Sequence, residues 1–187
     1  MRLMFPHVNT AEETAEVARL AAEIWREHYV SIITIEQIDY MIGKFQSVPA
    51  ITDQIHQQGY EYYLIHNDGS TVGYISARQE EGKLFLSKFY IGKEYRGRSY
   101  ASQALAFLEK LCKDRNLSHI WLTVNRHNES SIAVYEKKAS GPYKNKLRIS
   151  GMDSLWMILL WKKKFRSHKR IEAIFEYTSI FFGSETN

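Results

Sequence analysis

The hydrophobic period of the chain changes near residue 60, and this change limits the folds open to the sequence. Before it, apolar side chains recur at helical spacing. Thr10 and Thr34 are each followed three residues later by Glu or Gln, which is the pattern of a capping box that opens a helix. This part therefore predicts three helices: Ala11–Tyr29, Ile35–Phe45, and a short one that begins near Pro49 and ends near Gly59.

Beyond residue 60 the pattern alternates, as in half-buried strands. The predicted strands form an antiparallel meander: Tyr62–His66, Val72–Ala77 and Leu84–Ile91. A helix with an apolar face from Ala101 to Cys112 then precedes a strand over Ile120–Val124, which a βαβ crossover places parallel to Leu84–Ile91. Asn128–Lys138 predicts a further helix, and Leu3–Val8 a short first strand. The predicted fold class is α/β, with a mixed central sheet flanked by helices.

Length and composition suit one folded domain, or one domain with a tail, because the chain has 187 residues and ordinary apolar content. The single cysteine, Cys112, excludes an intramolecular disulfide and fits a reducing compartment. Met1–Thr10 lacks the apolar segment of a signal peptide, and Leu155–Trp161 is too short to span a bilayer. We therefore expect a cytoplasmic protein. His119 and His127 show no metal-ligand spacing, so no metal is expected.

The net charge of +4 is unevenly distributed along the chain. Residues 139–187 hold 9 of the 25 Lys and Arg and 4 of the 21 Asp and Glu, which gives +5 there and leaves −1 for residues 1–138. The basic character thus belongs to the C-terminal segment alone. It argues against nucleic-acid binding by the rest of the protein.

The segment Lys93–Ala101 joins a predicted strand to a predicted helix and suits a bound phosphate. Free N–H groups at a helix N-terminus and the helix dipole favour an anion there. Gly97 allows the backbone to turn and to approach a ligand closely, while Arg96 and Arg98 add positive charge. Without further context, an exposed turn with two solvated arginines explains the segment equally well.

This loop resembles the pyrophosphate loop of the GNAT N-acetyltransferase superfamily, whose pattern is Q/R-x-x-G-x-G/A. Arg96 matches the first position of the pattern and Ala101 the last. Ser99 stands where the family usually has glycine. Because serine carries a Cβ, a positive φ at Ser99 would cost more than the same φ at glycine.

The resemblance covers roughly residues 1–138. A family pattern similar to N-x-x-A-x-x-x-Y appears here as Asn128, Ser131 and Tyr135. In the family, the Asn contacts the pantetheine arm and the Tyr protonates the departing CoA thiolate. The strand before the loop presents backbone groups to the cofactor, and the next strand, here Ile120–Asn125, diverges from it. The resemblance therefore implies a set of residues that bind acetyl-CoA: Phe89, Tyr90, Ile91, Arg96, Gly97, Arg98, Ser99, Tyr100, Ala101 and Asn128.

The chemistry of thioester aminolysis agrees with these roles. A backbone N–H can stabilise the oxyanion, and a tyrosine with a reference pKa of about 10 stays protonated and can donate. Tyr135 is the implied acid, and a tyrosine packed against the sheet is the alternative. The group that takes the proton of the amine is open, because Leu84–Ile91 contains no acidic residue. A water chain or one of four side chains could serve, although each of the four is explained more simply as a solvated helix residue: Glu27, His28, Tyr29 and Glu36.

From Ala139 onward the sequence no longer resembles the family, which continues with Gly-Phe and a hairpin. Reading from the third base of the Lys138 codon permits Gly-Phe at the expected place, and Gly151–Ile158 then permits Asn-Gly-Phe-Val-Met-Asp-Asp. We predict that residues 139–187 are a frameshifted reading of the family C-terminus; the alternative is a divergent or fused tail. The chain is thereby divided into a GNAT domain, residues 1–138, and an atypical basic and hydrophobic segment in which Leu155–Trp161 could replace a closing strand.

The sequence thus predicts an enzyme that transfers the acetyl group of acetyl-CoA, its cosubstrate, to a primary amine by direct attack. The acceptor is a small-molecule or peptide amine, and Ile120–Tyr135 looks similar to bacterial polyamine acetyltransferases. One alternative is a non-catalytic module that senses acyl-CoA. The other is anion binding, to nucleic acid or membrane, through the basic tail, although neither partner is expected. A homodimer is compatible with the sequence, which leaves the oligomeric state open.

Overall fold

Three helices open the chain, and their bounds follow from their caps. A computed structural model describes residues 2–31, 33–125, 144–149 and 156–162. The first helices are α1 (Ala11–Tyr29), α2 (Ile35–Phe45) and α3 (Val48–His56). Both predicted capping boxes are present: the Thr10 hydroxyl accepts from the Glu13 N–H, and the Thr34 hydroxyl accepts from the Gln37 N–H. Each box satisfies backbone donors that the first helical turn leaves without an intrahelical partner.

A mixed sheet follows the helices. Its strands are β1 (Tyr60–Asn67), β2 (Ser70–Glu80), β3 (Lys83–Ile91), β4 (His119–Asn125), β5 (Lys144–Ile149) and β6 (Trp156–Lys162). In the described residues the strand order is β1-β2-β3-β4-β6-β5. The pairs β1–β2 and β2–β3 are antiparallel, whereas β3 and β4 are parallel and are joined through helix α4 (Tyr100–Asp114). The predicted α/β class, meander and βαβ unit are confirmed.

The sheet lies between two apolar layers of side chains. Helix α4 covers one face, and its buried residues pack against the strands: Tyr100, Ala104, Leu105, Leu108 and Cys112. Helices α1 and α3 cover the other face, where their buried side chains meet three residues of β1 and β2: Tyr62, Leu64 and Tyr74. Burying apolar area on both faces is the dominant favourable contribution to folding.

The predicted first strand, Leu3–Val8, is present only as two isolated antiparallel bridges beside β1. They pair Met4 with His66 and His7 with Tyr63. Pro6 has no N–H to donate, and only its carbonyl is used, accepting from the Leu64 N–H at 3.1 Å. A continuous ladder is therefore interrupted at its centre, although the Leu3 and Val8 side chains are buried.

The described part of the C-terminal segment adds strands to the sheet. β6 pairs antiparallel with β4, and β5 pairs antiparallel with β6. The frameshift and the division at residue 139 stay predictions, because the strand pairing does not depend on how the segment arose. Across the described ranges, no helix combines the length and the apolarity that crossing a membrane requires.

Candidate active site at the open edge of β3

The parallel ladder between β3 and β4 ends well before either strand does. Its register runs from Lys83 opposite His119 to Leu86 opposite Leu122. β3 continues for five residues beyond Leu86, and β4 continues to Asn125. The two strands therefore part within the sheet. Their separation leaves a wedge, and among the residues that the structure describes the edge of β3 facing away from β2 has no strand partner beyond Leu86.

The predicted cofactor residues of β3 lie on this open edge. On their other side they pair with β2, where Phe89 is opposite Ile75, Tyr90 opposite Tyr74, and Ile91 opposite Gly73. Their side chains are all used in packing. The Phe89 and Ile91 side chains contact the layer under α4, and the Tyr90 side chain contacts the layer under α1. What this segment offers to a ligand in the wedge is therefore its backbone.

The loop between β3 and α4 begins at the open edge and contains two residues in the left-handed region. Arg96 is fixed to the end of the strand, because its Nε donates to the Ile91 carbonyl at 3.0 Å. Gly97 has φ 77°, and Ser99 has φ 63° and ψ 13°, so both lie in the left-handed region. Left-handed residues in such a loop turn successive N–H groups toward one point, and the N-terminus of α4 adds the positive end of its dipole.

The side chains of the loop divide between solvent and core. Arg96, Arg98 and Ser99 are exposed, and the Arg98 guanidinium lies 5.9 Å from the centre of the Tyr95 ring. Tyr100 is only 4% exposed and packs in the layer under α4, so its backbone alone is available to a ligand. The spacing of Tyr100, Ala104 and Leu108 on one helix face was the signal for this burial. Ala101, the last residue of the motif, is half-buried.

Asn128 and Tyr135 lie outside the described residues, and their roles stay predictions.

The α1 face of the sheet carries an aromatic cluster near the end of β3. The Trp25 ring lies 4.5 Å from the Tyr29 ring and 6.4 Å from the Tyr90 ring, and the Tyr74 and Tyr90 rings are 5.4 Å apart. Such a cluster forms an apolar wall with hydroxyl groups at its rim. It lies beside the open edge of β3.

Of the four side chains that could take the proton of the amine, Glu27, Tyr29 and Glu36 are poor candidates because of an ion pair or a shifted pKa. The Glu27 carboxylate pairs with the Lys93 ammonium at 3.3 Å. Burial raises the pKa of Tyr29, so its hydroxyl stays protonated. Glu36 is exposed in the first turn of α2, where a hydrogen bond with its own backbone N–H lowers the pKa of its carboxyl. For His28, burial and then the charge of Arg96 lower the pKa, which favours a neutral imidazole.

Lys88 is a further residue of β3 that sequence reasoning missed. It is 8% exposed, on the strand that carries the cofactor edge. A charged residue in an otherwise apolar and aromatic strand was the signal available in the sequence.

Cys112 has a structural role. Cys112 is completely buried, and burial raises the pKa of its thiol to about 12, so it is not a nucleophile. No group of three or more metal-ligating side chains occurs within the described ranges.

Comparisons with known proteins agree with this geometry. The model of the Acetyltransferase (GNAT) family matches residues 17–140. A spermidine N(1)-acetyltransferase from Thermoplasma acidophilum is 22% identical over 160 residues, which span 83% of this chain and 94% of that protein.

Solved structures share the fold at low sequence identity. The PaiA N-acetyltransferase from Thermoplasma acidophilum, in complex with coenzyme A, superposes with a TM-score of 0.72 at 19% identity, covering 87% of this chain and all of that one. An acetyltransferase from Thermus thermophilus superposes with a TM-score of 0.61 at 16% identity, covering 86% of this chain and 96% of that one. The chain belongs to the GNAT acetyltransferase family, and it is accordingly an acyltransferase.

Proposed function

We propose that the protein transfers the acetyl group of acetyl-CoA to a primary amine by direct attack of the amine on the thioester. The observation that carries the proposal is the open edge of β3, which runs directly into the loop with left-handed Gly97 and Ser99. An extended backbone edge suits the amide-containing pantetheine arm, and the loop suits the pyrophosphate. Fold and family set the class of enzyme, whereas the donor, the acceptor and the residue roles are our proposal.

The proposed reaction divides its tasks between backbone and side chains. N–H groups of the β3 edge, in Phe89–Ile91, hold the thioester carbonyl and stabilise the oxyanion that forms when the amine attacks. The loop N–H groups, with Arg96 and Arg98, hold the phosphates. Tyr135 gives its proton to the CoA sulfur as the carbon–sulfur bond breaks. No covalent intermediate with the enzyme forms in this scheme.

We propose a polyamine or a similar alkylamine as the acceptor. Support comes from the relative named as a spermidine N(1)-acetyltransferase, whose full length is nearly covered. The half-buried Tyr29 and Tyr90 rings, which pack on the buried Trp25 and Tyr74 rings, also suit an alkylammonium, because ring faces attract cations and tolerate methylene chains.

Calorimetric titration with acetyl-CoA tests the donor site. We expect saturable binding that Arg98→Glu weakens at least tenfold, because the change reverses a charge beside the phosphates. Lys113→Glu is the matched control, since it makes the same charge change in the last turn of α4, roughly 20 Å along the helix. Equal loss of binding in both variants would show a general charge effect and refute the assignment of the loop.

Acetyl transfer to spermidine and to other amines tests the reaction. Thiol release and acetylated product should appear together, and Tyr135→Phe should lower kcat by about 100-fold while acetyl-CoA still binds. Tight binding of acetyl-CoA without transfer to any amine would instead favour a protein that senses acyl-CoA.

A further inference from the structure

Lys88 belongs to a buried hydrogen-bonded cluster on the face of the sheet that α1 and α3 cover. Its Nζ lies 2.6 Å from Gln54 Oε1 and 2.7 Å from the Tyr62 hydroxyl oxygen. The Tyr62 hydroxyl in turn donates to Gln54 Oε1 at 2.7 Å, and Gln54 Nε2 donates to the Phe45 carbonyl at 3.0 Å. The cluster therefore joins β3 to β1 and to the junction between α2 and α3.

The strand register explains why the lysine can reach these partners. Tyr62, Ser76 and Lys88 lie in one row across β1, β2 and β3. The residue in the middle of the row is small, so the lysine side chain passes over it to the tyrosine. A register shift between Ser76 and Ala77 leaves Ser87 as an extra residue in β3, and it turns Lys88 toward the helices.

The cluster suits a neutral amine better than an ammonium. An ammonium has three N–H donors, whereas a neutral amine has two donors and a lone pair. Two acceptors are present, Gln54 Oε1 and the Tyr62 oxygen, and within the described ranges no carboxylate forms an ion pair with Lys88. A neutral Lys88 amine thus donates both of its N–H groups to these acceptors, and its lone pair stays available to accept a proton.

We propose that Lys88 is the group that takes the proton of the acceptor ammonium, directly or through one water molecule. The inference rests on the proposed acetyl transfer to an alkylamine. In the step, an N–H bond of the substrate ammonium breaks, its electron pair stays on the substrate nitrogen, and the proton forms a bond with Lys88 Nζ. The free amine then attacks the thioester carbon, and its nitrogen loses a second proton to solvent as the carbon–sulfur bond breaks. Tyr135, which has given its proton to the sulfur, takes a proton back from solvent, and the Lys88 ammonium returns its proton to solvent before the next turnover.

The surroundings of Lys88 on each packed element agree with this role. On β1, the Tyr60 and Tyr62 rings lie 5.5 and 5.1 Å from Nζ, so ring faces accommodate the ammonium once it forms. On β2, the Arg78 guanidinium also lies against the Tyr60 ring, 4.9 Å from its centre. On α3, Gln54 is uncharged. Burial lowers the pKa of Lys88 to about 7, and burial raises the pKa of Tyr62, which keeps it a neutral phenol.

The test is the pH dependence of kcat with saturating acetyl-CoA and spermidine in wild type, Lys88→Met and Gln54→Glu. Wild-type kcat should rise with pH and level off above about pH 7, where Lys88 is neutral. In Lys88→Met, kcat at pH 7.5 should fall by about 100-fold and keep rising with pH, because the amine then loses its proton only to solvent. Gln54→Glu puts a carboxylate beside Nζ and should move the plateau to higher pH by about one unit or more.

Lys83→Met is the matched control, since it makes the same change at the exposed start of β3 and should leave both kcat and the plateau unchanged. Acetyl-CoA titration of each variant shows that the donor site is intact. A Lys88→Met profile that keeps the wild-type plateau with kcat within about threefold, or a Gln54→Glu plateau at the wild-type pH, would overturn the inference. Failure of the wild type to acetylate any amine would instead refute the proposed function on which it rests.

Discussion

Replacing Ser99 with glycine should stabilise the protein, although it removes side-chain atoms. Ser99 has φ 63° and ψ 13°, and its hydroxyl makes no capping hydrogen bond to α4. A left-handed residue with a Cβ costs roughly 1–2 kcal/mol, and glycine avoids this strain. The more flexible unfolded chain of the variant removes about 0.4–1 kcal/mol of that gain. We therefore expect Ser99→Gly to raise the free energy of unfolding by about 0.5–1 kcal/mol.

Urea unfolding measures this gain, and thermal unfolding should show a rise of about 2 °C for a chain of this size. Ser99→Ala keeps the Cβ and should show no gain. Ala106→Gly, at an exposed position inside α4, should lose about 1 kcal/mol. Because Ser99→Gly keeps the loop conformation that we propose binds the phosphates, the acetyl-CoA dissociation constant should change by less than about tenfold. A loss of stability in Ser99→Gly equal to that of Ala106→Gly would refute the claim of strain.

Three further predictions follow from close contacts and shifted pKa values. Gly73→Ala should destabilise the protein by about 1–3 kcal/mol in urea and weaken acetyl-CoA binding, because the new Cβ would lie 2.2 Å from the Tyr90 carbonyl oxygen and displace the β3 edge. Arg115→Met should cost about 2 kcal/mol at pH 7, since it leaves the half-buried Glu61 carboxylate, now held at 2.5 and 2.7 Å, without its partner. Arg115 lowers the pKa of Glu61, so the wild type should lose this stabilisation as the pH falls below about 4.5, and the variant should lose less. Burial lowers the pKa of Lys88 to about 7, so between pH 7 and about 10 the unfolded chain binds more protons than the folded chain. The free energy of unfolding of the wild type should therefore rise with pH in this range, by up to about 1.4 kcal/mol per pH unit, and Lys88→Met should lack the rise.

A single measured outcome would refute each of these three predictions. Unchanged stability of Gly73→Ala would mean that β2 can move away from Tyr90. If Arg115→Met loses stability with falling pH as the wild type does, the ion pair between Arg115 and Glu61 does not contribute to the acid dependence of stability. A Lys88→Met variant whose stability rises with pH as steeply as that of the wild type would show that another group titrates there.

The helices could be predicted from the sequence because their signals are local. The bounds of α1 and α2 agree with the prediction to the residue, since a capping box fixes each N-terminus and the apolar spacing fixes each length. At Ser99, where the sequence indicated only that a positive φ would cost more than at glycine, the structure has φ 63°. The first strand is reduced to two bridges because Pro6 has no N–H to donate. The alternation of apolar residues, from which the strand was predicted, does not take this missing donor into account.

The Lys88 cluster could not be predicted, because it depends on alignment across three strands. Tyr62 and Lys88 are 26 residues apart, and they meet only through the β1–β2 and β2–β3 registers. A shift of one residue in either register would move Lys88 to the α4 face. The shift at Ser76 and Ala77 is itself an irregularity that no local sequence pattern marks.

The bulge at Ser87 connects the two halves of the proposed chemistry. It comes directly after Leu86, where the ladder between β3 and β4 ends, and directly before the open edge that begins near Phe89. A regular strand would continue the parallel ladder, which would satisfy the backbone groups of β3 with β4 and close the wedge. It would also return Lys88 to the opposite face of the sheet. One extra residue therefore leaves this part of β3 without β4 as a partner and keeps Lys88 on the α1 face, so the proposed thioester site and the proposed proton acceptor are expected to be lost together if the bulge is removed.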